Sequence, residues 1–333
     1  MSTFKTYYFW GSLHLFLANY GVSIFFVLSG FLITYLLLEE KMQTQIDIKK
    51  FYFRRILRIW PLYYLYLAVA LITISVFGLG LNMNSLWYYI FYTANIPSIL
   101  VTTLPLLAHY WSLGVEEQFY LFWPWVIKKV NKLVLPIIVV ITVLIGTKLF
   151  LHIFYPNSIV EMAIHITRFH CMMIGALGAI LYKNNNQLFL KLTDNKIAQA
   201  ICWGIMLLIA INKFHFASVI DNELISVVAI ILIIGQVNIK NRIINLEIRV
   251  FDYLGKISYG IYVIHPLLIF LFSKFLFQLD IPSPYKYFVV YLIILGATIL
   301  TAHLSYTYFE KYFMGLKKRF VVVNSSPTRS LAT

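Results

Sequence analysis

The chain has 333 residues, of which 61% are hydrophobic and only 12% charged, and its mean hydropathy is +0.80. A soluble domain carries about a quarter charged residues, so this composition excludes an ordinary soluble globular protein. It describes an all-α, polytopic transmembrane bundle of about 9–10 spans. The net charge of +14 does not make the chain a nucleic-acid binder, because Lys and Arg gather in alternate loops: Lys41 to Arg58, Lys128 to Lys132, Lys183 to Lys196, Lys240 to Lys256 and Lys311 to Arg319. The loops between them hold scattered cations such as Lys213 and Lys286. That alternation is the positive-inside pattern, which makes the basic loops and the C-terminus cytoplasmic.

Apolar windows place spans at roughly 21–38, 60–78, 109–127, 133–151, 163–182, 197–211, 223–237, 257–275 and 287–309. The stretch 85–101 reads as re-entrant or interfacial. Residues 1–20 are too polar and too short to span, so they form an extramembrane segment before a membrane domain over 21–315 and a cytoplasmic basic tail over 316–333. The last dozen residues, VVNSSPTRSLAT, read as disordered. Nine spans with a cytoplasmic C-terminus would put the N-terminus outside, so the count asks for one more leading helix.

The first span, GVSIFFVLSGFLI, has small residues at Ser29 and Gly30, whose simplest use is close helix packing in lipid. Next, FYFRRILRIWPLYY sets Arg54, Arg55 and Arg58 at the cytoplasmic entrance of a span, with Arg54/Arg58 four apart and Arg55/Arg58 three apart. Two readings stand: an anchor that snorkels to lipid phosphates, or a guanidinium fork for a phosphorylated ligand from the cytoplasm.

The segment WSLGVEEQFYLFWPW, Trp111 to Trp125, then places Glu116 and Glu117 inside a membrane segment. A carboxylate there costs roughly 2.5–3.5 kcal/mol on insertion scales, so it faces a cavity or pairs with a cation. Ser112, Glu116 and Tyr120 fall four apart on one helix face. Arg168, in ITRFHCMMIGALGAIL with His165 and His170 nearby, needs an anionic partner, and Glu116 or Glu117 would serve. Further on, LGKISYGIYVIHP aligns Ser258, Tyr262 and His265, and SYTYFEKYF adds Tyr306 and Glu310 as a structural pair for a nearby cation. Cys171 and Cys202 have no CxxC spacing and read as buried small hydrophobes. Phosphate loops, dinucleotide fingerprints, nucleophile elbows and metal-ligand spacings are all missing from the sequence.

Taken in order, GVSIFFVLSGFLI, FYFRRILRIWPLYY, HYWSLGVEEQFYLFWP, RFHCMMIGAL, LGKISYGIYVIHP and SYTYFEKYF resemble the acyltransferase-3 family of bacterial integral-membrane O-acyltransferases. The resemblance implies an enzyme of the bacterial cytoplasmic membrane. It would move an acyl group, acetyl in the first instance, from acyl-CoA to a hydroxyl of a cell-surface glycan or related, lipid-linked carbohydrate, with no cofactor beyond the acyl-CoA donor. By position Arg55 and Arg58 match the family's paired arginines for the CoA phosphates, and Glu116 matches its acidic residue, here the catalytic candidate. Ser112, Glu117, Tyr120, Arg168 and His265 join Arg55 and Arg58 as substrate-binding candidates, with no metal. Ser23 stands where many members have an aspartate. The family's first helix carries an arginine and a histidine proposed as base; His14, seven residues before Gly21, is too close to fill that place, so the chain reads as lacking that helix. Two alternatives remain open from the sequence, a transporter or flippase of lipid-linked glycans and an inactive truncated member.

Overall fold

A computed structural model describes residues 2–276 and 285–320, and leaves the side chains of 2–19, 274–276, 285–288 and 318 undescribed. Residues 321–333, most of the expected tail, lie outside the described residues. All regular structure among the described residues is helical. The chain divides into two compact units, one built from residues 2–46 and 119–245, the other from 47–118 and 246–320.

Six helical stretches are long and apolar enough to cross a membrane: Tyr20–Gln43, Ile48–Val76, Val134–Phe154, Ile159–Lys183, Arg249–Ser273 and Val289–Lys317. The expected spans at 109–127, 197–211 and 223–237 are also helices. The first carries Glu116, Glu117 and Gln118 at its centre, and the other two have only 15 and 17 residues. The backbone of residues 2–20 is continuous with the first span in one helix.

The first unit contains α1 (Ser2–Gln43), the second half of α5 (Tyr110–Lys129), α6 (Val134–Phe154), α7 (Ile159–Thr167), α8 (Phe169–Lys183), α9 (Gln187–Thr193), α10 (Lys196–Ala210) and α11 (Asp221–Val237). Its central seam joins α1 to α8. A Cβ on Gly30 would overlap the Met172 carbonyl, and one on Gly175 would overlap the Val27 carbonyl. The two backbones therefore touch at a reciprocal pair of glycines, which is how helices associate in lipid, where no hydrophobic force drives them together. Trp123 donates its indole N–H to Thr34 Oγ1 at 2.8 Å, and Tyr120 its hydroxyl to Ser29 Oγ at 3.2 Å, fixing α5 on the same helix. Lys41 closes the C-terminus of α5 by donating to Ile127 O and Val130 O at 2.7 and 3.2 Å. Both free cysteines, Cys171 and Cys202, are buried.

The second unit contains α2 (Ile48–Val76), α3 (Met83–Ile90), α4 (Asn95–Ile99), the first half of α5, α12 (Arg249–Leu276), α13 (Tyr285–Ser305) and α14 (Lys311–Lys317). Asp47 caps α2 by accepting from Lys50 N at 3.0 Å, the usual service of a short carboxylate to an orphan N–H. The 85–101 stretch breaks into α3 and α4, so it does not span. A lattice of tyrosines ties it down: Tyr63 donates to Tyr89 O at 2.7 Å, Tyr64 to Ile90 O at 2.9 Å, Tyr66 to Leu106 O at 3.0 Å and Tyr110 to Tyr63 O at 2.8 Å. The Tyr63 ring stacks on Tyr92 and Tyr110 at 4.1 and 4.2 Å between centroids. Irregular backbone at membrane depth survives only when something inside the protein satisfies its carbonyls, and these hydroxyls do so.

The glycine seam gives a direct test. Gly175→Ala should destabilise the protein by about 1–3 kcal/mol, the typical cost of forcing an atom into a filled contact. Gly146→Ala and Gly204→Ala, whose Cβ positions are open, should be neutral or slightly stabilising. Melting temperatures of the three purified variants in detergent check both halves of the statement.

Candidate active site

The second unit gathers most of the sequence-predicted site residues. Arg54, Arg55 and Arg58 lie on the first turns of α2, and α14 packs along them. Arg54 Nη1 donates to Phe320 O at 3.0 Å, and Phe53 stacks on Phe320 at 5.0 Å. This brings Lys317, the last residue of α14, into the electrostatic field of all three arginines. Two carboxylates stand nearby: Glu310, within reach of Arg58 and accepting from Ser305 Oγ at 2.8 Å, and Glu117, near Arg55 and the Trp60 indole. Four cations against two anions leave a net positive cluster. Residues 306–310 form a single π-helical turn, and Gly260 on α12 lets the Glu310 carboxylate approach, since a Cβ there would sit 3.2 Å from Oε1.

The N-terminal half of α5 crosses the same unit. Ser112 and Glu116 are buried, one turn apart. Ser112 Oγ donates to His109 O at 3.2 Å and meets the Tyr262 hydroxyl, which also donates to the His109 carbonyl at 2.8 Å. His265 Nδ1 lies 2.7 Å from Tyr262 O, so it carries the proton. The His109 and His265 rings meet edge to face, their centroids 5.5 Å apart. His109 Nε2 is 3.1 Å from Val263 O. A carbonyl can only accept, so this contact assigns the proton to Nε2 and leaves Nδ1 as a bare lone pair. That Nδ1 is buried with no hydrogen-bond partner among the described residues. Glu116 interacts electrostatically with Tyr262, Tyr259 and Glu117.

Arg168 and Tyr120 fall in the first unit, so the expected stripe of Ser112, Glu116 and Tyr120 is shared between the two units. Arg168 interrupts the expected 163–182 span: it sits between α7 and α8 with φ 45° and ψ 35°. Left-handed backbone costs a side-chain-bearing residue roughly 1–2 kcal/mol, so the surroundings must hold it there. Its Nε donates to His165 O at 2.9 Å and its Nη1 to Ser23 Oγ at 3.2 Å, and Ser23 in turn donates to Asn222 Oδ1 at 2.8 Å.

Sequence reading missed three groups. One is Lys317, hidden in a basic tail. The second is His109, whose only signal is its place before WSL. The third is a buried ionic knot in the first unit: Lys148 Nζ to Glu223 Oε1 at 2.6 Å, with His170 Nε2 at 2.9 Å from the same oxygen. Lys148 is 2% and His170 0% exposed.

The family described as Acyltransferase domain matches residues 1–306. The chain belongs to this acyltransferase family. Similar proteins include O-acetyltransferase OatA of Staphylococcus aureus (strain NCTC 8325 / PS 47), 28% identical over 326 residues that cover 87% of this chain and 51% of the relative. A protein of Staphylococcus aureus (strain COL) bearing the name "Putative O-acetyltransferase SACOL0978" is 29% identical, covering 88% of this chain and 52% of its own length. An uncharacterised protein of Haemophilus influenzae is 28% identical over 198 residues, 53% of this chain and 80% of its own. The chain thus spans about half the length of the Staphylococcus relatives it matches. No solved structure matches it.

The ionic knot predicts its own fragility. Glu223→Gln leaves Lys148 buried without its counter-charge, a change that costs about 3–5 kcal/mol when a buried pair is broken from one side. Adding Lys148→Met should recover most of that loss. Unfolding temperatures of wild type, single and double variants in one detergent measure the coupling.

Proposed function

We propose that the protein transfers an acyl group, acetyl in the first instance, from acyl-CoA on the cytoplasmic side to a hydroxyl of a cell-surface glycan. Family membership and the names of the Staphylococcus relatives support O-acyl transfer. The observation that carries the donor assignment is the cluster of Arg54, Arg55, Arg58 and Lys317, because four mutually repelling cations facing two carboxylates are best neutralised by a polyanion. The phosphates of CoA provide one, and planar guanidinium groups bind phosphate bidentately. The basic segment from Lys41 to Arg58 supports reading this end as cytoplasmic.

In the transfer step the acceptor oxygen attacks the thioester carbonyl. A C–O bond forms, the C–S bond breaks, and the hydroxyl proton ends on the departing CoA thiolate by way of a protein base. A positioned base contributes typically 10²–10⁴-fold. Two groups of the second unit fit that task, the Glu116 carboxylate and the Nδ1 lone pair of His109. Glu116 is our catalytic assignment. His109 is the second reading, favoured by its unpartnered nitrogen. Ser112, Tyr262 and His265 hold the backbone and ring of His109 in register.

For the donor, Arg55→Ala and Arg58→Ala should each raise the KM for acetyl-CoA by roughly tenfold or more, since a hydrogen bond to a charged group is worth about 1.5–3 kcal/mol. Lysine at either position should restore only part of the affinity. Lys317→Ala should raise the same constant, and the effect of all three should shrink with a donor lacking the 3′-phosphate. Initial-rate kinetics on reconstituted protein measure these values, and an unchanged double alanine variant would return the arginines to lipid anchoring.

For the base, Glu116→Gln keeps size and hydrogen bonding but removes charge and basicity. We expect transfer to fall by at least 10²-fold while the melting temperature in detergent stays near wild type. Retained activity in Glu116→Gln together with loss in His109→Gln would pass the role to His109.

A further inference from the structure

The tyrosine lattice of the second unit has one exception. Tyr63, Tyr64, Tyr66 and Tyr110 each donate to a backbone carbonyl, as Tyr259 does to Ile59 O and Tyr262 to His109 O. Tyr92 is only 7% exposed, yet its hydroxyl has no hydrogen-bond partner among the described residues. Nothing about its placement is slack. The ring is clamped between Trp60 and Tyr63, with centroids 5.5 and 4.1 Å away, and its carbonyl accepts from Gln118 Nε2 at 3.3 Å. Its backbone is held in the left-handed region at φ 56°, which costs free energy for a residue with a side chain. A buried hydroxyl so firmly aimed and left unpaired calls for a partner that arrives from outside the chain.

Two more unpaired atoms lie beside it. The Trp60 indole and the Glu117 carboxylate are neighbours, and Glu117 also interacts with Tyr92. Neither Trp60 Nε1 nor Glu117 Oε1 completes a hydrogen bond among the described residues, although both atoms are buried. An indole N–H only donates, a carboxylate only accepts, and a phenol does either. Secondary amides answer all three, with a carbonyl to accept and an N–H to donate. A phosphate at this level would be repelled by Glu117. The position along the unit narrows the ligand further. Trp60 is five residues beyond Arg55, about 7.5 Å along α2. Six residues further, about 9 Å, the Tyr66 ring meets that of His109 at 5.6 Å, and His109 Nδ1 is again buried and unpaired. The order along α2 is therefore cations, then an amide-matching trio, then the transfer groups. An acyl-CoA presents its phosphates, its two amides and its thioester in that same order.

We infer that Trp60 Nε1, the Tyr92 hydroxyl and Glu117 Oε1 hold the amide-bearing arm of the thioester donor. Trp60 donates to an amide carbonyl, Glu117 accepts from an amide N–H, and Tyr92 serves whichever polar group of the arm reaches it. These residues determine donor specificity, because a thioester without amides would leave all three buried and unpaired. Their role rests on the acyl-CoA reading above and adds the stretch between phosphates and thioester.

The test is isothermal titration calorimetry on the full chain in lipid nanodiscs, with CoA and adenosine 3′,5′-bisphosphate as paired probes. The bisphosphate keeps the adenosine and two phosphates but lacks the arm, so wild type should bind CoA more tightly. Tyr92→Phe removes one hydroxyl and leaves the clamped ring in place. It should weaken CoA binding about threefold or more, and adding Trp60→Phe should bring the loss to about tenfold or more. Neither change should alter the affinity for the bisphosphate, whereas Arg55→Ala should weaken both probes. Unchanged CoA affinity in the double variant would mean that these atoms meet only water. Equal losses on both probes would mean a structural role. Either result overturns the arm assignment, while wild-type binding of CoA leaves the donor reading standing. A wild type that binds neither probe would remove the donor reading and the arm assignment with it.

Discussion

A charge in hydrocarbon has no water to turn to, and the rest of this structure is arranged around that constraint. Charged side chains at the centre of a bilayer cost several kcal/mol unless a partner is built in. In the first unit Glu223 answers both Lys148 and His170 through one oxygen. Asp221 accepts from Phe216 N and Ala217 N at 3.0 Å each, from Tyr20 at 3.0 Å, and faces His215 at 2.8 Å. Such groups persist only with every neighbour in place. The close packing of α1 on α8 through Gly30 and Gly175 brings Ser23 within reach of Arg168.

The second unit meets the same constraint with neutral hydroxyls. Tyr63 and Tyr64 take the Tyr89 and Ile90 carbonyls at the end of α3, and Tyr66 takes the Leu106 carbonyl in the irregular link that follows. A tyrosine suits this service because its ring adds apolar packing while its tip makes the bond. The surplus of positive charge at Arg54, Arg55, Arg58 and Lys317 is the exception.

The helical membrane architecture was legible from composition alone, since hydropathy needs no tertiary information. Individual site residues were less so. The pairing of Arg55 with Arg58 could be read from spacing, because three residues along a helix is a local relation. The proximity of Lys317 could not, since it depends on Phe53 and Phe320 stacking across a long stretch of chain. Lys148 was passed over inside an apolar window, where one cation looks incidental until its distant partner Glu223 is placed beside it. The break at Arg168 was invisible for a different reason: neither glycine nor proline marks it, so local propensity favours an unbroken span. Tertiary contacts with Ser23 and the His165 carbonyl override that propensity.

Left-handed backbone on an arginine is strain that the surroundings must hold. Breaking the span at residue 168 frees backbone groups of α7 and α8 from the regular ladder and directs the guanidinium sideways into the unit. There Arg168 donates to Ser23 Oγ. The π-turn at 306–310 does the comparable thing in the second unit, rotating Glu310 toward Ser305 and Arg58. Both irregularities occur where an ionisable group sits in an otherwise regular membrane helix. A helix that only had to cross the bilayer would gain from closing both.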